Sequence, residues 1–310
     1  LDKVSVVFSL PTGSLERFGE LGEKMFHQIK KVSGRVEKIY EPVHENEVSK
    51  VIRQRLFSRI DDKEAYQTIK EAINYFEKEN ILPEGSELTE YRDRFINSFP
   101  FLPEVIDILY HKWGSYPDFQ RTRGVLKLLS SVVFSVKNKN IPYISLADFN
   151  LEESGIRREL LNIVGDQFDS VISADITGKN CGTNKVDNSL GDTFRGLSLG
   201  LRISQTVFMC SFSGGKEKGI SLKDIKRLAT TLENPANVIT EALEQMKSKL
   251  FYLQLYGDKY FFDTQPNLNH VILTKMENIK DREILDFERE LLRKSIGQKM
   301  KVYLWPEKDS

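Results

Sequence analysis

From Glu45 to Lys137 the apolar residues recur at helical spacing, and this pattern confines the segment to a helical fold. The stretches are Glu45–Ile60, where Val48, Val51, Ile52, Leu56 and Phe57 share a face, then Asp61–Lys78, Thr89–Ser98, Pro103–Trp113 and Pro117–Lys137. Pro83-Glu84-Gly85, Pro100 and Asn138-Lys139-Asn140 punctuate them. The spacing predicts an all-α module over residues 44–140.

The segment before it has another character. Val4-Ser5-Val6-Val7-Phe8-Ser9-Leu10 is a β-branched apolar run followed by Pro11-Thr12-Gly13, the pattern of a strand covered on both faces. Ser14 is placed to cap a helix reaching about Lys31, and Arg35–Tyr40 reads as a second strand. Strand, helix and strand make a βαβ crossover over residues 1–43. A strand covered on both faces needs neighbours, and few follow. Together with an opening on Leu1 inside an apparent strand, this leads us to expect a piece of a longer protein.

Residues 141–215 read as a helical connector. Glu152–Gly165 and Phe168–Ile176 have helical spacing, and Gly196–Phe212 is apolar enough to be deeply buried. Between them Thr177–Asp192 is rich in Gly, Asn, Lys and Asp and lacks periodicity, so a mobile loop is expected there. In residues 216–277, Ser221 and Asp224 form a capping-box-like start to a short helix. Asn234-Pro235 then open a second helix to about Lys249. Phe251–Tyr256, Gly257-Asp258 and Lys259–Asp263 follow as a hairpin. Two helices and a hairpin are the layout of a winged helix-turn-helix. Residues 278–310 hold an amphipathic helix, Asp281–Ile296, and a last strand, Lys301–Trp305.

Composition narrows the function. Apolar residues are 40% and charged residues 29% of the 310, which fits a folded chain. Lys+Arg and Asp+Glu are 45 each, so a globally basic nucleic-acid coat is excluded while a local basic patch is not. No apolar run approaches the ~20 residues of a membrane span. Two cysteines without CxxC spacing and no signal peptide fit a reducing cytosol and give no zinc site. Gly214-Gly215-Lys216-Glu217 looks like a phosphate loop only in passing. Cys210 stands where the first glycine belongs, and Glu217 stands where a magnesium-holding hydroxyl belongs. His27, His44, His111 and His270 lie far apart, and no Gly-x-Ser-x-Gly elbow occurs. A self-contained hydrolase is not expected.

Two places remain as candidate sites. Arg121 and Arg123 fall in the first turn of a long helix, the end already partly positive, so an anion should offset them. A salt bridge or a solvated face is the plainer account on residue types alone. In the winged-helix layout, Lys247, Lys249 and Lys259 could meet nucleic acid or a partner. Glu241, Glu244, Asp258 and Asp263 dilute that charge, which favours protein packing over DNA.

A βαβ element, an arginine-bearing helical module and a winged helix together resemble the second half of an AAA+ ATPase of the origin-recognition type. More closely, the chain resembles the large ATPases containing the domain of unknown function 499. The phrases that carry this are Tyr40-Glu41-Pro42-Val43, Arg53-Gln54-Arg55-Leu56-Phe57, Ser98-Phe99-Pro100-Phe101, Leu109-Tyr110-His111-Lys112-Trp113-Gly114-Ser115, Phe119–Leu129, Phe168–Asp175 and Gln265-Pro266-Asn267-Leu268-Asn269. The resemblance implies a mainly α chain: the short βαβ end of an AAA+ core, a helical lid bundle, and a winged helix with its hairpin. It implies ATP and Mg2+ as ligands of the complete protein, with Ser9 or Thr12 as the first nucleotide sensor and Arg123, then Arg121, as the arginine touching the γ-phosphate. The Walker A and Walker B segments are missing, so the chain alone is expected to be non-catalytic. DNA or a DNA-associated protein is the implied partner, with intramolecular contacts to the missing ATPase core, and an anti-phage defence complex is the implied setting. The alternative is a winged-helix nucleic-acid-binding or protein-interaction module without enzymatic activity.

Overall fold

The computed structural model describes residues 45–116, 119, 121–213, 218–268, 271–272, 275–276, 279 and 281–296. The expected βαβ segment, with Ser9 and Thr12, and the closing strand lie outside the described residues. What is described is mainly α-helical, with one small antiparallel sheet.

The first helices form where the periodicity places them: α1 over Glu45–Leu56, α2 over Asp62–Lys78 and α3 over Leu88–Ser98. Asp61 starts α2 by accepting from the backbone N–H of Lys63 at 2.9 Å and of Glu64 at 3.2 Å. Helix α2 buries Ala65, Ile69, Ala72, Ile73 and Phe76, one face at i, i+4, i+7, i+8 and i+11. Helix α4, Pro103–Asp107, has Pro at its first position and runs on as a π-helical turn over Ile108–Lys112. A short 3-10 turn, Trp113–Ser115, then leads toward α5, Arg121–Val136.

The middle of the chain departs from expectation in two places. Helix α6, Ser154–Val164, is followed by α7, Phe168–Val171, which widens into a π-helical turn over Ile172–Thr177. The expected mobile loop is corrected: Gly182–Ser189 is a helix, α8, with Gly182, Thr183 and Val186 buried. Cys181 and Leu190 at its ends are buried too. Helix α8 packs between the π-helical turn and the helices that follow. Its few apolar residues give no readable period, so tertiary packing rather than propensity holds it.

A one-turn helix, α9 (Asp192–Arg195), precedes α10, Leu199–Cys210. Helix α10 is buried nearly all round, which makes it the axis of the domain. The chain then gives β1 (Ile220–Ser221), α11 (Leu222–Ala229), α12 (Ala236–Lys249), β2 (Leu253–Tyr256) and β3 (Lys259–Phe262). The strands pair in the order β1-β3-β2, all antiparallel. Tyr256 pairs with Lys259, so Gly257-Asp258 is a two-residue loop. Gly257 takes φ 61°, the left-handed value that a II′ turn needs at its first central position. The Phe262 N–H donates to Ser211 Oγ at 2.8 Å, fixing the hairpin to the end of α10. One contiguous cluster of buried side chains runs from Val48 to Phe262. Helix α13, Asp281–Ile296, leaves Ile284, Leu285, Phe287, Leu291 and Leu292 exposed.

Candidate functional site

The start of α5 is built from aromatic anchors. Trp113 is fully buried and its Nε1–H donates to the Met209 carbonyl at 2.8 Å, which ties the turn after α4 to α10. The rings of Trp113 and Phe119 meet edge to face at 6.2 Å. Phe119 lies under Gly124, where an added Cβ would come within 3.1 Å of the ring. Glycine therefore lets the first turn of α5 settle on that ring. Arg123, one residue earlier, is exposed. No ion pair holds it among the described residues, and no acidic residue stands in the first turn of α5. For Arg121 the helical backbone alone is described.

The three lysines have different immediate partners. Lys247 Nζ donates to Glu244 Oε1 at 2.7 Å and sits 5.4 Å from the centre of the Tyr260 ring. Lys249 Nζ reaches back to α8, donating to Ser189 Oγ at 2.6 Å and to the Lys185 carbonyl at 3.3 Å. Lys259 lies on β3, half-buried, opposite Tyr256. The exposed residues of α12 are Asn237, Glu241, Glu244 and Ser248, so its outer face is acidic.

Two arginines that the sequence reading passed over hold the interior. Arg227, on α11, is 3% exposed. Its Nε donates to Glu104 Oε1 at 2.8 Å, its Nη1 to the Ile81 carbonyl at 2.9 Å, and its Nη2 to Asp224. Burial alone would lower its pKa, and the facing Glu104, Tyr91 and Asp224 reverse this and raise it. Arg202, on α10, donates to Asp148 Oδ1 at 2.8 Å and to the carbonyls of Ala229 and Thr230 at 2.9 and 3.2 Å. A lone charge inside the apolar run 199–210 was the available signal, since a buried cation must be paired.

A buried carboxylate, Asp175, and a half-buried one, Asp187, serve the backbone elsewhere. Asp175 accepts from the N–H groups of Phe251 and Tyr252 at 3.0 and 2.7 Å. Burial pushes its carboxyl up to about 6, against those two bonds. Asp187 accepts from Gly200 and Leu201 at the start of α10, and burial raises it as well. Cys210 is pushed up to about 12 by burial, which leaves an inert thiol. No group of His, Cys, Asp and Glu that could hold a metal occurs among the described residues.

A family model described as the DUF499 second domain matches residues 43–262. The chain belongs to the DUF499 family. The match covers the helices from α1 through the β2–β3 hairpin, with the networks of both Arg202 and Arg227. No curated protein and no solved structure matches the chain. None of the described helices in this DUF499 domain is long and apolar enough to cross a membrane.

Proposed function

We propose that this DUF499 second domain is the helical lid and docking module of an AAA+-type ATPase, with Arg123 as the residue that reports the γ-phosphate. The observation that carries the reading is Arg123 itself. It is an exposed guanidinium at the positive end of α5, without an ion-pair partner among the described residues, on a turn held rigidly by Phe119 and Trp113. A phosphate would relieve the unfavourable placement of that charge. ATP would be bound chiefly by a phosphate loop in another part of the protein, and Mg2+ by acidic groups there. The described residues fit a phosphate contact but offer no cluster for the metal. When the lid closes, Arg123 would stabilise charge on the transferring phosphoryl group. ATP turnover would in this way be coupled to remodelling of a nucleic-acid-associated complex, with a cytoplasmic, anti-phage setting as the family resemblance implies.

The part from β1 to β3 has the order of a winged helix, and we read it as a protein-docking element. Helix α12, in the recognition position, exposes Glu241 and Glu244, while Lys247 and Lys249 are engaged locally. Direct DNA binding through Lys247, Lys249 and Lys259 is the weaker reading, because phosphate contacts need uncompensated cations.

The test is ATP turnover by the protein carrying its phosphate loop. Arg123→Ala should reduce kcat on the order of 10²–10³-fold, as for loss of one positioned charge contact. Arg123→Lys should restore little, since an ammonium lacks the planar fork. Unchanged turnover in the alanine variant, or a protein without any phosphate loop, would sink the reading.

A further inference from the structure

A second cationic site lies at the far end of α1. An open cavity of about 300 Å³ lies there, between the end of α1, the residues that follow it and Asn97 of α3. Its charged lining is cationic throughout: Lys50, Arg53 and Arg59, with no carboxylate among them. Arg53 is anchored, donating to the Ile96 carbonyl at 3.3 Å and to Asp62 at 3.1 Å. Lys50 and Arg59 are exposed and make no hydrogen bond or ion pair among the described residues.

A plainer account exists for part of this. Arg53 and Arg55 stand in the last turn of α1, where cations offset the partly negative helix end. That end carries the equivalent of roughly half a charge. Asp62, itself highly exposed, compensates Arg53. Lys50 and Arg59 remain beyond both, and Arg59 lies outside the helix. Two cations without a partner among the described residues line one cavity, and together they outweigh the repulsion of the helix end for an anion. The rest of the lining suits a phosphate ester. Ser58, Gln54 and Asn97 bring neutral donors, and Phe57 with Ile60 gives an apolar wall for a base or sugar.

We propose that this cavity binds a phosphate group, with Lys50 and Arg59 as its principal contacts, and that it is a site separate from Arg123. The phosphate can come from a nucleic-acid strand or from a small phosphorylated molecule. The two sources share the recognition chemistry and differ in salt response and in competition.

The experiment uses the 310-residue chain and two probes, a fluorescein-labelled dT20 followed by anisotropy and pyrophosphate followed by calorimetry. Lys50→Ala/Arg59→Ala should weaken whichever probe binds by at least tenfold. For the oligonucleotide it should also flatten the plot of log K against log salt by about 1.4, at about 0.7 per phosphate contact. Lys70→Ala/Lys78→Ala removes the same charge from exposed positions on α2 and should change little. Thermal melts of both double variants confirm folding. If dT20 binds and pyrophosphate displaces it only at high concentration, the source is a strand; tight pyrophosphate binding alone points to a small molecule. Binding of neither probe, or equal losses in the two double variants, overturns the proposal.

Discussion

Arg227 Nε donates to Glu104 Oε1 at 2.8 Å, joining side chains 123 positions apart in sequence. The same guanidinium reaches Asp224 on its own helix, and Tyr91 Oη donates to Glu104. This network ties the β1–β3 part to α3 and α4. The pair is 4% and 15% exposed at its side chains, so either partner left alone would be a poorly solvated charge.

Arg227→Met should therefore destabilise by about 3–5 kcal/mol, mostly through the stranded Glu104. Glu104→Gln in the same background should recover part of that loss, because it removes the unpaired charge. Urea unfolding of the two singles and the double gives the coupling. Additive losses would mean that the two groups do not depend on each other.

Gly182 explains how α8 approaches α12. An added Cβ there would lie 2.8 Å from both the Lys249 carbonyl oxygen and Leu250 Cδ1. Alanine gains about 1 kcal/mol of helix propensity over glycine. Leu250 could turn aside, but the backbone carbonyl of Lys249 cannot do so cheaply. Overpacking of this kind costs about 1–3 kcal/mol, so Gly182→Ala should be net destabilising and Gly182→Val more so. A chemical melt checks this, and a stabilised Gly182→Ala protein would contradict the packing of α8.

What could be read from the sequence follows from where each signal resides. Helices α1 to α5 carry a full apolar face in their own residues, and the Ser221 cap and the Gly257-Asp258 turn are local chemistry. Those were legible. Helix α8 was not: Gly182, Asn184, Lys185, Asp187 and Asn188 read as loop, and its support comes from α12, distant in sequence. The π-helical turn Ile172–Thr177 likewise belongs to packing, with Asp175 turned to the backbone of Phe251 and Tyr252. Arg123 was legible as a cation at an unfavourable helix end. Arg59 and Asn97 were not legible as neighbours, since only tertiary packing brings α3 beside the end of α1.

Arg123→Ala gives a stability test that Arg227 does not share. Exposed substitutions away from special contacts stay within about 0.5 kcal/mol, and loss of a cation at a helix N-terminus helps by a few tenths. The variant should melt with or slightly above the wild type. A drop of several degrees would assign Arg123 a structural partner and weaken its role as a phosphate sensor.

The pH dependence of stability should carry the mark of Asp175. Burial pushes this carboxyl up to about 6 in the folded chain, while an unfolded aspartate titrates near ~3.9. Between those values the folded state holds a proton that the unfolded state has lost. Stability from this group is therefore greatest below about pH 4, falls as pH rises, and levels off above about 6. From pH 4.5 to 7.5 the loss is on the order of 2 kcal/mol, at about 1.4 kcal/mol per pH unit across the window. Asp175→Asn removes the titration. Its amide still accepts from one of the two N–H groups of Phe251 and Tyr252 and turns a donor toward the other. A protonated carboxyl has the same arrangement, so the variant resembles the wild type at low pH and stays in that neutral state as pH rises. Asp187 also titrates upward and remains in both proteins, so the comparison cancels it. The quantity to measure is the difference in unfolding free energy between wild type and Asp175→Asn at pH 4.5 and at pH 7.5. The wild-type value minus the variant value should fall by about 2 kcal/mol toward the higher pH, because only the wild type must ionise a buried carboxyl. A difference that stays constant across that range would place Asp175 at an ordinary carboxylate pKa and remove it as the pH-sensitive contact between the π-helical turn and the Phe251-Tyr252 segment that leads into β2.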